Sequence, residues 1–284
     1  MKCDLCPNGC AVDRALTVGL CGESDKMRIA KYYLHPYEEP ILCGKNGAGA
    51  IFFCGCSLKC AFCQNYELSR SARGKIVSPE ALADIMRELE AEGAANIDLV
   101  SPTHFVPYVI KALGIYRPKI PVVYNTHGYE SVETLEKIDP FIDIYLPDVK
   151  FFSPARAKRY CGKADYFERA SKALEFMLKR KKTVVENGTM KSGVIVRHLV
   201  LPQNLDETGR ILDFLRPITG DAYLSLMAQY TPFGDIDDLP ELKRRLTRRE
   251  YDSAVRKVQA LGFERVFIQE FSSADESFIP AWDW

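Results

Sequence analysis

At 284 residues the chain is long enough to bury a large core as one α/β domain, or as one domain with appendages. Its 38 Lys and Arg balance 38 Asp and Glu, so no overall field favours nucleic acid or an anionic membrane, and local chemistry must choose the partner. No apolar run approaches the ~20 residues of a membrane span, and Met1-Lys2-Cys3-Asp4 lacks the apolar core of a signal peptide, which predicts a cytoplasmic protein.

Ten cysteines in tight groups argue, in a cytosolic chain of this size, for bound metal rather than the disulfide framework of a small secreted domain. Residues 1–49 read as a Cys-rich, metal-binding extension. Cys3, Cys6, Cys10 and Cys21 follow the spacing C-x2-C-x3-C-x10-C among Pro7, Gly9, Gly19 and Gly22. Turn residues around close-set thiols suit a metal-wrapped knuckle. Four ligands close a structural zinc site or hold a second iron–sulfur cluster, and the spacing does not choose between zinc and iron. The alternative is four reduced, buried thiols without metal. Residues 28–40, ending in His35-Pro36-Tyr37-Glu38-Glu39-Pro40, read as a connecting segment, because both prolines interrupt regular structure. The glycine-rich stretch 44–49 lacks the G-x4-G-K-S/T pattern and precedes a strand, so it is not a phosphate cradle.

Ala50-Ile51-Phe52-Phe53 reads as a buried strand opening a unit over 50–230. After a cysteine-bearing loop, Ser78-Pro79 offers an N-cap with proline behind it, and Leu82, Ile85, Met86 and Leu89 recur at helical spacing. A strand at 96–100, a helix over about 104–116, a strand at 122–125, a short helix opening at Ser131 and a strand at 142–146 come next. A helical stretch over about 163–181 carries Phe167, Ala170, Leu174, Met177 and Leu178 on one face. Its Lys179-Arg180-Lys181-Lys182 end reads as a solvated turn, not a nucleic-acid site, since no aromatic residues are interleaved. Asn187-Gly188 marks a turn before a strand at 194–201, then come a helix through Ile211, Leu212 and Leu215 and a strand at 223–227. Residues 231–284 read as a C-terminal helix with a capping box at Thr247-Arg248-Arg249-Glu250, an edge strand at 265–269 and a docked or frayed tail holding Asp275, Glu276, Trp282, Asp283 and Trp284. Alternating strands and helices of this kind give a parallel sheet.

The chemistry gathers behind the first strand. Cys56, Cys60 and Cys63 have the spacing C-x3-C-x2-C, and iron–sulfur clusters are held by thiolates set tightly along one loop. A 4Fe-4S cluster needs four ligands, and this loop offers three, which leaves one iron open to bind and activate something. If Cys54 were the fourth ligand the site would close, and the chain would be a non-catalytic iron–sulfur or zinc-binding redox protein. Cys43, Cys54 and Cys161 are not assigned as ligands. In parallel barrels reactive groups collect at the C-terminal strand ends, which here offer Ser101, Thr103 and His104, then Asn125, Thr126 and His127, then Asp148 and Lys150, Arg197, and Gln229 and Tyr230. Arg197 and His198 point to opposite faces of one strand, so Arg197 goes to the site and His198 beneath a helix.

The segment Gly55-Cys56-Ser57-Leu58-Lys59-Cys60-Ala61-Phe62-Cys63-Gln64-Asn65, with its aromatic residue before the last cysteine, resembles the cluster loop of the radical S-adenosylmethionine (SAM) superfamily. It is most similar to the pyruvate formate-lyase activating enzyme group. Tyr124-Asn125-Thr126, Asp-Ile-Tyr-Leu-Pro-Asp-Val-Lys at 143–150, Arg-His-Leu-Val-Leu-Pro at 197–202 and Leu-Ser-Leu-Met-Ala-Gln-Tyr at 224–230 resemble its less characterised activating-enzyme-homologue branch. The resemblance covers nearly the whole chain. It implies a partial (β/α)6 TIM-like barrel in which Cys56, Cys60 and Cys63 hold the cluster and the open iron chelates SAM. It also implies an electron donor such as flavodoxin or ferredoxin, a 5′-deoxyadenosyl radical made by reductive cleavage of SAM, and hydrogen abstraction from a substrate, in this group a glycyl-radical protein. Ser101, Thr103, Asn125, Thr126, Asp148, Lys150 and Arg197 become the cofactor-binding candidates. Arg197 suits the methionyl carboxylate, Asp148 the ribose hydroxyls or the ammonium, and Lys150 completes the group's Asp-x-Lys motif. Two departures stand out: activating enzymes carry Gly-Gly-Glu where this chain has Ser101-Pro102-Thr103-His104, and a histidine where it has Met227-Ala228-Gln229-Tyr230.

Overall fold

Seven parallel strands carry the fold in a computed structural model that describes residues 2–71, 73–273 and 282. In chain order the elements are β1 (Arg28–His35), α1 (Pro40–Cys43), β2 (Ala48–Phe53), α2 (Tyr66–Arg70), β3 (Lys75–Ile76), α3 (Pro79–Ala91), β4 (Ile97–Val100), α4 (Val106–Ile115), β5 (Val122–Thr126) and α5 (Val132–Ile138). They continue as β6 (Ile144–Pro147), α6 (Pro154–Cys161), α7 (Tyr166–Arg180), β7 (Val184–Glu186), β8 (Thr189–Leu199), α8 (Leu205–Leu215), β9 (Tyr223–Met227), α9 (Arg248–Leu261) and β10 (Val266–Ile268). The sheet order is β10-β9-β8-β6-β5-β4-β2-β1-β3, with β7 added to β8. From β2 through β10 every pairing on this path is parallel, whereas β1 runs antiparallel to β2 and β3 antiparallel to β1. The sheet ends in β10 and β3 without closing, so the architecture is an open, partial TIM-like α/β barrel behind a Cys-rich N-terminal segment.

Both faces of the parallel strands are covered, so they read as near-continuous apolar runs. Ile51, Phe53, Leu99, Tyr124 and Val196 face outward into the main core with the buried stripes of α3, α4 and α8. Inside the barrel, Leu42 of α1 packs with Val123, Ile144, Leu146, Met190 and Ile195 and plugs one end. The helix signals hold in detail: the Ser78 hydroxyl accepts the Ala81 N–H at the start of α3, and Thr247 and Glu250 form a complete capping box on α9.

Residues 28–35 are a strand and not part of a connector. This strand, next to the short edge strand β3, buries only Ile29 and so shows no alternation to read; its extended form is fixed by pairing with β2. Helix α6 is a further element, capped by Ser153, started by Pro154 and stopped by Gly162 in the left-handed region. Strand β8 begins at Thr189, earlier than its apolar run, because Asn187 (φ 50°) and Gly188 (φ 77°) make the tight turn of a β7–β8 hairpin. Among the described residues no helix is long and apolar enough to cross a membrane. Of the tail, Asp275, Glu276, Asp283 and Trp284 lie outside the described residues, while the Trp282 ring meets Phe52 edge-on at 5.5 Å.

Candidate active site

Strand β2 delivers the chain into the three-cysteine loop. Gly55 has φ +76°, and a Cβ there would stand 2.6 Å from Glu23 Cγ and 2.9 Å from the Cys21 carbonyl oxygen, so only glycine makes this turn. Lys59 adopts φ 53°, a left-handed residue between two of the cysteines. The loop is held from several sides: the Cys56 N–H donates to Cys21 O (3.1 Å), the Ala61 N–H to Tyr160 O (2.8 Å) and the Asp235 N–H to Ala61 O (2.9 Å). Phe62 meets Phe151, Tyr160 and Tyr230 edge-on at 6.0, 6.0 and 6.2 Å, giving the loop an apolar, water-poor backing. Burial pushes the Cys56 thiol up to about 12 and the Cys63 thiol to about 11, so ligation there must release protons.

His127, at the end of β5, contributes to the same loop. The Tyr129 N–H donates to its Nδ1 (3.1 Å), which leaves the ring proton on Nε2, 2.8 Å from the Ser57 hydroxyl. Burial holds its pKa down to about 3, so the ring is neutral and acts as a fixed strut. His104 lies away from the cavity and donates from Nε2 to Cys54 O (2.6 Å). His198 lies beneath α8, donating from Nδ1 to Val149 O (2.7 Å) and accepting from Thr208 at Nε2 (3.0 Å).

Cys56, Cys60 and Cys63 open onto a cavity of about 700 Å³ at the C-terminal ends of the parallel strands, well within the range of cofactor sites. Of the residues singled out from the sequence, Ser101, Asn125, Thr126, Asp148, Lys150, Arg197, His127 and Gln229 also line it. Thr103 does not: it is buried, and its hydroxyl donates to Glu130 Oε1 at 2.6 Å. Asp148 takes Lys150 Nζ on one oxygen (2.6 Å) and Arg197 Nε on the other (2.9 Å). Burial raises its carboxyl, but the two cations outweigh that and hold it below the usual range. Arg197 also donates from Nη2 to Asn125 Oδ1 (2.6 Å) and faces Glu38 Oε2 from Nη1 (3.4 Å), so each of its nitrogens already has an acceptor. At the end of β9, Gln64, Gln229 and Gln269 form a side-chain chain tying the cluster loop to the β10 edge.

Glu38 and Glu39 line the cavity, Asp98 adjoins it through the Asn125 amide (3.2 Å), and all three escaped the sequence reading. The first two enter from the β1–α1 link, which the flanking prolines disguised as a spacer. Asp98 carried a signal, being a carboxylate inside the strand Ile97-Asp98-Leu99-Val100, whose faces are both buried. The remaining thiols divide. Cys54 is buried at the end of β2, and its Sγ donates to Arg73 O (2.7 Å) outside the cavity wall. Cys43 lies on the wall, donating to Glu38 O (3.1 Å). Cys161 accepts from the Cys60 thiol and donates to Ala157 O (3.0 Å).

The N-terminal cysteines occupy turns away from this cavity. The Cys21 and Cys10 sulfurs border Gly19, 3.3 and 3.5 Å from where a Cβ would lie. The Cys10 and Cys3 side chains are hydrogen-bonded, and Cys6 Sγ accepts from Asn8 (3.5 Å). None of the ten cysteines forms a disulfide. Among the described residues no three His, Cys, Asp or Glu side chains converge on a single-ion position, in this knuckle or in the cluster loop.

An open parallel α/β barrel with three thiols on the loop behind its first parallel strand, over a polar cofactor-sized cavity, defines a class of iron–sulfur enzyme. The family model described as the Radical SAM superfamily matches residues 50–215, more than half of the chain, and the chain belongs to that superfamily. It is 29% identical over 276 residues to the uncharacterized protein MJ0674 of Methanocaldococcus jannaschii, across 94% of this chain and 77% of that one. Among solved structures it is similar to SuiB of Streptococcus suis (TM-score 0.51, 12% identity, 78% of this chain and 49% of that chain). It is likewise similar to the radical S-adenosylmethionine methyltransferase TsrM of Kitasatospora setae, solved with cobalamin and a 4Fe-4S cluster bound (TM-score 0.51, 12% identity, 79% and 55%). The chain spans about half the length of these two structures, and the likeness is one of fold. Superfamily membership implies a 4Fe-4S cluster and SAM as cofactors.

Proposed function

We propose that Cys56, Cys60 and Cys63 hold the 4Fe-4S cluster and that Ser101, Asn125, Asp148 and Lys150 orient SAM for cleavage, with Thr126, whose hydroxyl Glu130 holds, shaping the wall beside them. The observation that carries this is the shared cavity: three thiols and the polar strand ends open onto one space of about 700 Å³. When bound, the cluster supplies the electron that splits SAM into methionine and a 5′-deoxyadenosyl radical, which abstracts hydrogen from the substrate. The chain's own residues position and exclude. The Phe62 aromatic group backs the loop with apolar surface. His127 fixes Ser57, and Asp148 accepts from ribose hydroxyls or the SAM ammonium. Arg197, engaged at all three nitrogens, is a positioning residue that keeps Asp148 ionised and aimed.

The closed-site alternative, a non-catalytic redox or zinc protein, loses support because the Cys54 thiol is bonded to Arg73 O outside the cavity wall. Anaerobic reconstitution with iron and sulfide, then reduction in the presence of SAM, is expected to yield 5′-deoxyadenosine. No product from a verified four-iron cluster overturns the mechanism. A protein donor of the flavodoxin or ferredoxin type would supply the electron physiologically.

Two finer readings belong to this proposal. Activation of a glycyl-radical protein is supported by the likeness of 55–65 and 148–150 to activating enzymes, while the departures at 101–104 and 227–230 set the chain apart from them. Its test is a glycyl-radical electron paramagnetic resonance signal on a candidate partner. A second metal site, zinc or iron–sulfur, at Cys3, Cys6, Cys10 and Cys21 is supported by the turns that gather these thiols, and metal analysis of a variant lacking the Cys56, Cys60 and Cys63 thiols checks it.

A further inference from the structure

Between the apolar plug at Leu42 and the cluster loop, the barrel interior carries a layer of ionisable groups in which acids outnumber cations. Burial pushes the carboxyls of Asp98 and Glu39 up, Glu39 to about 7, so these acids hold protons that an entering cation would displace. Glu38, Glu39, Asp98 and Asp148 meet two cations there, Arg197 and Lys150. Asp148 takes both of those cations at contact distance, and Glu38 has the longer 3.4 Å contact to Arg197 and a 3.5 Å one from the Asn125 amide. Glu39 has the Ser225 hydroxyl, and Asp98 Oδ2 has the Asn125 amide at 3.2 Å. Among the described residues neither has a cation in contact.

Asp98 is fully buried, and its Oδ1 has no hydrogen-bond partner. Strand alternation sets Asp98 on the face shared with Val100, which lines the cavity, so this oxygen belongs to the barrel interior. A buried carboxylate oxygen left unpaired costs free energy that an incoming donor recovers. The acids are spread across the layer and do not converge on a single-ion position, which suits an organic cation bearing several N–H donors better than a metal ion.

Resting on the radical SAM reading, we infer that Glu38, Glu39 and Asp98 form a recognition site for an organic ammonium group carried by the substrate, which reaches into the barrel beneath SAM. A glycine main chain offers N–H donors to this layer but no cation to match its excess of acids. The substrate class is therefore a molecule with a primary amine on a flexible stem.

The probe is n-butylamine, compared with n-butanol, titrated calorimetrically into the cluster-loaded, SAM-saturated full chain. Saturable amine binding at millimolar concentration or below is expected, with none for the alcohol. Glu39→Gln and Asp98→Asn are each expected to weaken amine binding about tenfold while SAM affinity stays within about twofold. Amine binding no tighter than the alcohol's overturns the inference. So does a loss of SAM affinity that tracks the loss of amine affinity, since the acids would then serve SAM's own ammonium. Should Asp98→Asn fail to load its cluster, Glu39→Gln and the wild-type comparison still decide. A chain that cleaves SAM and ignores the amine refutes this inference alone, whereas one that cannot cleave SAM refutes the reading beneath it.

Discussion

The two cysteine groups differ in what fixes them. Cys56, Cys60 and Cys63 follow a central strand, lie against an aromatic shell and open onto the main cavity. Cys3, Cys6, Cys10 and Cys21 precede the first strand on turns, with Cys3 and Cys10 partly exposed. The sheet therefore shapes the first group of thiols by itself, while the second has little but its own turns to order it. Yet the knuckle supports the loop: Cys21 O accepts the Cys56 N–H, and Asn8 donates to Ser57 O at 2.7 Å. Arg14, from the same segment, donates to His104 O, and His104 in turn holds Cys54 O. The N-terminal group thus braces the loop proposed to hold the cluster.

The largest effect should come from breaking the first group. On the proposed ligation Cys60→Ala removes one of three ligands, so the visible iron–sulfur absorbance and 5′-deoxyadenosine formation are both expected to vanish. Survival of either would mean that Cys54 or Cys161 can complete the site. Cys10→Ala should act the other way. Its expected outcome is loss of the second metal and several kcal/mol of stability, with the loop cluster still forming and SAM still cleaved. Unchanged metal content between wild type and Cys10→Ala would make the knuckle metal-free.

A third variant tests the frame common to both groups. Glu130 collects the hydroxyls of Thr103, Thr126 and Tyr124, joining the segments that follow β4 and β5. Burial pushes its carboxyl up to about 7 from 4.5, despite those donors. The folded chain therefore holds a proton that the unfolded chain has lost between these values. The stabilisation is complete below pH 4.5 and disappears as pH rises through about 7, with a ceiling of about 3 kcal/mol. Glu130→Gln cannot ionise, so denaturation curves of wild type should lose about 3 kcal/mol relative to the variant between about pH 5 and about pH 8. A wild-type-minus-variant difference that does not change with pH would show that Glu130 does not titrate in that window.

Much of this architecture was legible because its signals are local. The C-x3-C-x2-C loop, the alternation of buried strands with amphipathic helices and the Thr247–Glu250 capping box all lie within a few residues of one another. The opposite facing of Arg197 and His198 followed from strand geometry alone. What stayed hidden depends on tertiary context. Strand β1 is extended because β2 pairs with it, not because its own residues alternate. Glu38 and Glu39 are site residues only because the link after β1 crosses the barrel's plugged end. Thr103 follows a strand end as expected, yet one buried carboxylate, Glu130, draws its hydroxyl away from the cavity. The charge imbalance around Arg197 arises from four separate segments, and no sequence window contains it.

The smallest expected effect measures how tightly the two cysteine groups are joined. Asn8 lies between Cys6 and Cys10 and reaches Ser57 O within the cluster loop at 2.7 Å, so Asn8→Ala removes that tie and the longer 3.5 Å contact to Cys6 Sγ while leaving every thiol in place. A net hydrogen bond of this kind is worth about 1 kcal/mol, and leaving the Ser57 carbonyl without its donor sets the upper end near about 2 kcal/mol. The loop should still bind its cluster, but it should release iron faster to a chelator, because the brace on the Ser57 side has gone. If chelation rates match wild type while the melting temperature falls, Asn8 stabilises the knuckle alone and the two groups are neighbours without coupling. If both change together, the extension helps retain the catalytic cluster.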